Sequence, residues 1–382
     1  MDLAGESSPY NPPDTNFVDQ ILYWSKQRPD DIAFYFTSDG QKESAITYAK
    51  IDEQARSIGK LLVSTGRAGE RALLLYPPGL DFVAALFGCF YAGTIAIPAN
   101  LPRRNRNLDR IQAICDDAKA SIILSVHEVS ERTQRIIAEA SRLQELPVLL
   151  TDQIPTGSAM EFKPLDVARS DLAIIQYTSG STGIPKGVML THGNLISNAA
   201  MLKNSFNIDI SSMGLSWLPA YHDMGLMGGV LAPVYTGAPN LLMSPMTFMQ
   251  KPVKWLQCIS RYRVTVTGGP NFAYTHCIDK VTTNQCRGLD LSSWIVAYNG
   301  AEPIRPETIE QFTRKFSPYG FSATAPCPCY GMAEATLLVT GSDIQKPPQI
   351  RRFNRQQLET DRAVENNGMD TETCHLTSCG QM

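Results

Sequence analysis

The chain has 382 residues, 43% of them hydrophobic and 19% charged, which excludes collagen-like, coiled-coil and wholly disordered proteins and leaves an ordinary globular one. A formal net charge of −3 gives no general electrostatic attraction for nucleic acid. The nine cysteines, odd in number and scattered from Cys89 to Cys379, suit reduced thiols in a cytoplasm better than a disulfide framework.

At roughly 100–200 residues per domain, this length holds two or three modules or one large domain with subdomains. The first residues lack both the positive start and the apolar run of a secretory signal, so a cytoplasmic location is expected. Residues 48–66 place Ile51, Ala55, Ile58, Leu61 and Leu62 on one helical face. Short apolar runs at 72–76, 94–97, 121–126, 147–151 and 172–177 read as buried strands. The uncharged stretch 82–99 reaches the length of a membrane span. Gly88, Gly93, Thr94 and Pro98 divide it instead into a buried helix at 80–91 and a strand at 94–97, so no span is expected.

The basic group Arg103, Arg104, Arg106 and Arg110 reads as a solvated connection; its functional alternative is a docking patch for an acidic carrier protein. A helix at 108–118 follows, with Asn107 as its cap. Further on, the pattern predicts a helix at 192–204 capped by Thr191, and strands near 215–218, 240–243, 264–267 and 294–298. Helices at 252–262 and 305–316 lie between some of these. This alternation indicates an α/β fold with largely parallel strands. Residues 346–367, with Pro347, Pro348 and little apolar periodicity, read as an exposed insertion or flexible stretch. The final run, 376–380, has no clear closing element, and the chain is expected to be a truncated piece. Cys327, Cys329, Cys374, His375 and Cys379 have poor spacing for a zinc site.

The most informative segment is YTSGSTGIPKGV, residues 177–188, directly after an apolar strand. Gly180 and Gly183 let backbone N–H groups approach anionic oxygens. Thr178, Ser179, Ser181 and Thr182 offer hydroxyls, and Lys186 supplies a mobile positive charge. Such a loop suits the phosphates of ATP and the departure of pyrophosphate. A Walker loop would need glycine directly before the lysine, whereas Pro185 stands there.

The segment resembles the phosphate loop of the adenylate-forming superfamily, which includes acyl-CoA synthetases, firefly luciferase and peptide-synthetase adenylation domains. Three further segments match in the same order. LPAYHDMGL at 218–226 places His222 and Asp223 before Met224; the resemblance puts His222 at the acyl entrance, and Asp223 is also a candidate helix N-cap. YNGAEPI at 298–304 implies an adenine pocket of Gly300, Ala301 and Glu302. YGMAEAT at 330–336 implies Tyr330 stacked on adenine, Gly331 and Met332 beside it, and Glu334 as ligand of the Mg2+ that accompanies ATP. Many members carry threonine where Ala333 stands, so a hydroxyl contact to the α-phosphate is missing or comes from Thr336.

The wording of these segments, with GGPNFAY at 268–274, is most similar to fatty acyl-AMP ligases. That resemblance implies stacked, mostly parallel sheets flanked by helices: a first α/β subdomain at 1–170, a second at 171–345 with the ATP and acyl sites, and an insertion at 346–367. It also implies formation of a fatty acyl-adenylate with Lys186, His222 and Glu334 as catalytic residues. Asp223, Met224, Asn271, Phe272 and Tyr274 would face the fatty acid. The acceptor would be the thiol of an acyl carrier protein, with coenzyme A as the alternative. An amino-acid-activating domain is the enzymatic rival, disfavoured by the apolar run of Trp217, Leu218, Met224, Leu226 and Met227. A TGD-type ribose aspartate and the late lysine of a small C-terminal domain are absent from the sequence. The chain alone is therefore expected to be catalytically incomplete, part of a ligase or of a multidomain synthase. A non-catalytic nucleotide- or acyl-binding module is the alternative of another class.

Overall fold

The computed structural model describes residues 10–101, 108–129, 143–155, 157, 161–178, 185–366 and 373–380. The chain begins with helix α1 (Phe17–Gln27), capped by Asn16, and the hairpin β1 (Ile32–Thr37) and β2 (Glu43–Thr47). Helix α2 (Tyr48–Ser64) starts where the Thr47 side chain accepts from the Lys50 amide. Strands β3 (Arg71–Leu75), β4 (Ile95–Ala99), β5 (Ile122–Ser125) and β6 (Val148–Leu150) then alternate with helices α3 (Leu80–Tyr91) and α4 (Leu108–Ala118). Strands β7 (Leu172–Thr178) and β8 (Lys186–Thr191) form a hairpin that runs into helix α5 (His192–Ser205), closed by a Thr191–Asn194 capping box.

The second half contains β9 (Gly214–Ser216), a π-helix (Met224–Leu231), α6 (Ala232–Thr236), β10 (Asn240–Met243), α7 (Pro245–Gln250) and α8 (Val253–Tyr262). There follow β11 (Val266–Gly269), α9 (Asn271–Lys280), β12 (Val296–Asn299), α10 (Pro306–Phe316), β13 (Pro326–Gly331) and β14 (Leu338–Gly341). Last come β15 (Ile350–Asn354), the short α11 (Arg355–Leu358) and β16 (Thr373–Thr377).

The strands make a six-stranded sheet, β6-β5-β3-β4-β7-β8, and an eight-stranded sheet, β14-β13-β12-β11-β9-β10-β1-β2. Both are parallel in their interiors; the antiparallel pairs are β7–β8 at one edge of the first, and β1–β2 and β13–β14 at the edges of the second. Sheet membership crosses the boundary expected near residue 170, because β7 and β8 complete the first sheet while β1 and β2 complete the second.

Side-chain alternation assigns the layers. Ala72, Leu74, Ile122 and Leu124 face a central core shared with α1, α2, α3, α5 and the eight-stranded sheet, whereas Leu73, Leu75 and Ile123 face α4 on the outside. On the other sheet, Leu215, Leu241 and Ala297 pack outward against α8, α9 and α10. Strands covered on both faces read as continuous apolar runs, which is why they were legible. Helix α3 is buried from Phe82 to Tyr91, and a Cβ on Gly88 would lie 2.5 Å from Ile58 of α2. Close helix packing thus accounts for the uncharged stretch. Among the described residues no helix is long and apolar enough to cross a membrane.

Within the stretch 346–367, expected as an exposed insertion or flexible stretch, residues 350–354 form β15, which pairs antiparallel with β16 over five residue pairs in a two-stranded sheet. Its strands are half-exposed on both faces, so neither carries an apolar period. Asn107, the expected cap of α4, Arg103, Arg104 and Arg106 lie outside the described residues.

Candidate active site

In open parallel sheets, ligands bind beyond the carboxyl ends of the strands. Here β7 ends at Thr178, β9 leads into residues 217–223, β12 ends at Asn299 and β13 at Gly331. The four motif segments therefore all leave from the same kind of strand end.

Thr178 pairs directly with Lys186 across the β7–β8 hairpin, so the phosphate segment starts and finishes at one point. Lys186 is exposed, and Gly187 behind it has no room for a side chain: a Cβ would sit 2.7 Å from Ile175 and 3.0 Å from the Tyr177 ring. Ser179, Gly180, Ser181, Thr182 and Gly183 lie outside the described residues.

The 218–226 segment is tied to this strand, for the Gln176 carboxamide donates to the Tyr221 carbonyl at 2.7 Å. Asp223 caps the π-helix by accepting from the Met224 amide at 2.7 Å. Gly225 is required, since a Cβ there would meet the Pro219 carbonyl oxygen at 2.1 Å. Eight residues of π-helix widen the turn just where the chain passes the site. His222 is exposed, its ring tilted against that of Tyr221. Crowding still holds its pKa below the ordinary histidine value, with Asp223 opposing and Arg110 adding to the effect. Burial raises the Asp223 pKa, and the negative charge of Glu334 pushes the same way. That coupling places the two carboxylates in one field.

Met224, Gly300, Ala301, Cys329, Tyr330 and Gly331 help line one small cavity of about 50 Å3. Gly300 approaches Cys329 so closely that a Cβ would lie 2.9 Å from its carbonyl oxygen, and Ala301 adopts φ 66°. Tyr330 and Met332 are exposed beside the cavity, as are Glu302 and Glu334. Thr336 is buried and does not line it.

The residues expected to face a fatty acid separate. Asp223 and Met224 line the cavity. Asn271 is buried, accepts from the Arg305 amide and donates to Thr308. Tyr274 is buried in the outer core and donates to the Tyr298 carbonyl at 2.8 Å. Phe272 is 40% exposed and stacks edge-on with Trp217, while its amide donates to Glu302.

A second cavity, about 380 Å3, opens between the sheets beside the same segment and is lined in part by Tyr76, Phe82, Leu101, Leu218, Tyr221 and Met246. A larger cleft of about 760 Å3 lies between β14 and the β15–β16 sheet. None of the motif residues lines it, and its Lys346 and Arg351 are paired with Asp343 and Glu365. The described motif residues thus gather at the strand ends and not in this cleft. Sequence reasoning missed Gln176 and Asn198, polar residues inside a strand and a helix whose partners lie far along the chain.

The fold and the strand-end site define a nucleotide-handling α/β enzyme class, and residues 22–360 match the family profile described as AMP-binding enzyme. The chain belongs to that family. It is 42% identical over 376 residues to the medium-chain-fatty-acid acyl-carrier-protein ligase JamA of Moorena producens, covering 96% of this chain and 63% of that protein. Identity to the ligase of the same description, TtuA, of Teredinibacter turnerae is 34%, covering 94% and 63%. Among solved structures, a fatty acyl-adenylate ligase from L. pneumophila in complex with acyl adenylate and pyrophosphate superposes with a TM-score of 0.90 at 36% identity, covering 96% of this chain and 63% of that one. The chain thus spans just under two thirds of the length of these relatives.

Proposed function

We propose that the chain carries the nucleotide and acyl sites for ATP-dependent activation of a fatty acid to its acyl-adenylate, which is then passed to the thiol of an acyl carrier protein. The carrying observation is that Asp223–Met224, Gly300–Ala301 and Tyr330–Gly331, from three separate strand ends, line one cavity. The acyl-carrier-protein ligases among the relatives support the acceptor.

A carboxylate oxygen of the fatty acid attacks the α-phosphorus of ATP. The new O–P bond forms as the bond to the bridging oxygen breaks, and pyrophosphate leaves with that electron pair. The protein aligns the reactants and neutralises charge, with little covalent work of its own. Lys186 and residues 178–183 hold the departing phosphates. Gly300, Ala301, Glu302, Tyr330, Gly331 and Met332 surround adenine, the exposed Tyr330 ring offering its face. His222, Asp223, Met224 and Phe272 border the acyl group, while Asn271 and Tyr274 act through the structure that they brace.

The residues present fit a magnesium ion. Among the described residues no group of three or more His, Cys, Asp or Glu side chains could form a complete cage. One or two carboxylates, Glu334 with Asp223 near it, suit Mg2+, which takes its other ligands from phosphate and water. When bound it would neutralise phosphate charge. A reducing cytoplasm is consistent with nine cysteines that form no disulfide.

Mass spectrometry of products formed by the full-length protein from ATP, Mg2+ and mixed fatty acids, with carrier protein and coenzyme A supplied separately, tests this function. Acyl-AMP and acyl-carrier products are expected. Preferential acyl-CoA formation favours a CoA ligase instead, and no adenylate from any acid contradicts the proposal.

A further inference from the structure

The turn that carries Glu334 has an unusual backbone. Thr336 sits at φ 73°, ψ −55°, a γ-turn region that is strained for any residue with a Cβ and more so for a β-branched one. Gly331 at its base has no space for a side chain, because a Cβ would lie 2.1 Å from the Leu337 carbonyl oxygen. Strain of this kind persists only where the surroundings over-determine it. Here the determinant comes from α5, whose Asn198 is 4% exposed. Its Nδ2 donates to the Leu338 carbonyl at 2.9 Å and the Ala335 carbonyl at 3.2 Å, and its Oδ1 accepts from the Leu338 amide at 3.1 Å. These bonds bracket Thr336 on both sides. Asparagine is a poor residue for a helix interior, and a buried carboxamide is costly unless bonded. The turn satisfies it on both its nitrogen and its oxygen.

We infer that Asn198 is a positioning residue: by fixing Ala335 and Leu338 it holds the strained turn in the shape that presents Glu334 to the metal-bound phosphates of ATP. The inference rests on the proposed role of Glu334. Because α5 directly follows the β7–β8 hairpin, the same bonds also link that hairpin to the turn that carries Glu334.

Calorimetric binding of MgATP and of ATP in EDTA, with thermal unfolding alongside, tests this on Asn198→Leu, Asn198→Asp and Glu334→Gln. Asn198→Leu is expected to weaken MgATP about tenfold or more while metal-free ATP changes less than about threefold, the pattern also expected of Glu334→Gln. Asn198→Asp adds a pH signature. Buried between carbonyls, the aspartate would hold its proton well above the usual range. Protonated, it still donates to Leu338 and accepts from its amide; ionised, it loses the donor and repels both carbonyls. Its MgATP affinity relative to the unaltered chain should be near unity at about pH 5.5 and fall steadily towards about pH 8. If both Asn198 variants bind MgATP like the unaltered chain at every pH, and only their melting temperature drops, Asn198 is merely structural and the inference fails. If Glu334→Gln leaves MgATP binding unchanged, the metal role of Glu334 fails, and the inference with it.

Discussion

The Gln176 carboxamide donates a 2.7 Å hydrogen bond to the carbonyl oxygen of Tyr221, 45 residues further along the chain. The bond joins the strand that leads into the phosphate segment to the turn that bears His222 and Asp223, and so links the two sheets at the site. Gln176 itself is 2% exposed, which removes water as a competing partner.

Gln176→Ala should therefore loosen the turn locally. A part-buried hydrogen bond contributes about 0.5–1.5 kcal/mol, so amide exchange at Leu226, whose N–H donates to the His222 carbonyl, should accelerate roughly twofold to tenfold. Hydrogen exchange followed by mass spectrometry over residues 218–226 reads this out, and unchanged protection would disprove the coupling.

Two glycines of the π-helix, Gly225 at its second position and Gly228 at its fifth, should behave oppositely. Gly225→Ala drives a methyl into the Pro219 carbonyl and should cost about 3 kcal/mol. Gly228 has nothing within 4 Å of a built Cβ, and Gly228→Ala should stay within about 0.5 kcal/mol. Denaturant midpoints of the two variants compare them directly.

How much of this was legible beforehand follows from the physics of each segment. Helices α3 and α4 have the bounds expected from sequence, and α5 starts at its Thr191 cap, because full burial, amphipathicity and capping chemistry leave local marks. The hairpin partner β8 left almost none: it is an edge strand with Met189 66% exposed. The GGPNFAY segment starts α9, a helix that its own sequence does not announce. Helical spacing then turns Asn271 and Tyr274, three apart, inward together and leaves Phe272 outside. Polar residues with distant partners, Gln176 and Asn198, have no local signature at all. The strand-end position of the motifs at 177–188, 218–226 and 298–304, in contrast, followed from apolar runs placed directly before them, whereas β13 before YGMAEAT, with Pro326 and Pro328, left no such mark.

Acid should destabilise the protein through His192. This residue is 2% exposed, packs edge-on against Phe90, and its Nδ1 has no hydrogen-bond partner. Burial lowers its pKa from 6.5 to about 4, against the opposing charges of Asp171 and Asp19. The unfolded chain takes up a proton as pH falls below about 6.5, and the folded one resists until about 4. Stability is thus retained above this window and lost progressively within it, by about 3 kcal/mol in all. His192→Gln should flatten the decline in melting temperature between about pH 6.5 and 4; an unaltered slope would show that other groups cause it.

Lys186 and Tyr330 should divide nucleotide recognition between them. Lys186→Ala removes a charged partner of the phosphates and should weaken ATP about tenfold or more while AMP changes little. Tyr330→Ala removes a stacking face and should weaken both nucleotides by about 1–3 kcal/mol. Because both side chains are exposed, neither change should lower the melting temperature appreciably. Calorimetric titration with each nucleotide separates the roles.

The most direct measurement is photo-crosslinking with an azido-adenine nucleotide, followed by peptide mapping. Saturable labelling of the peptide containing Tyr330, blocked by excess ATP, is the expected result. Saturable labelling confined to the cavity between the sheets, at Tyr76, Phe82 or Met246, would place the nucleotide elsewhere and contradict the assignment of the adenine site.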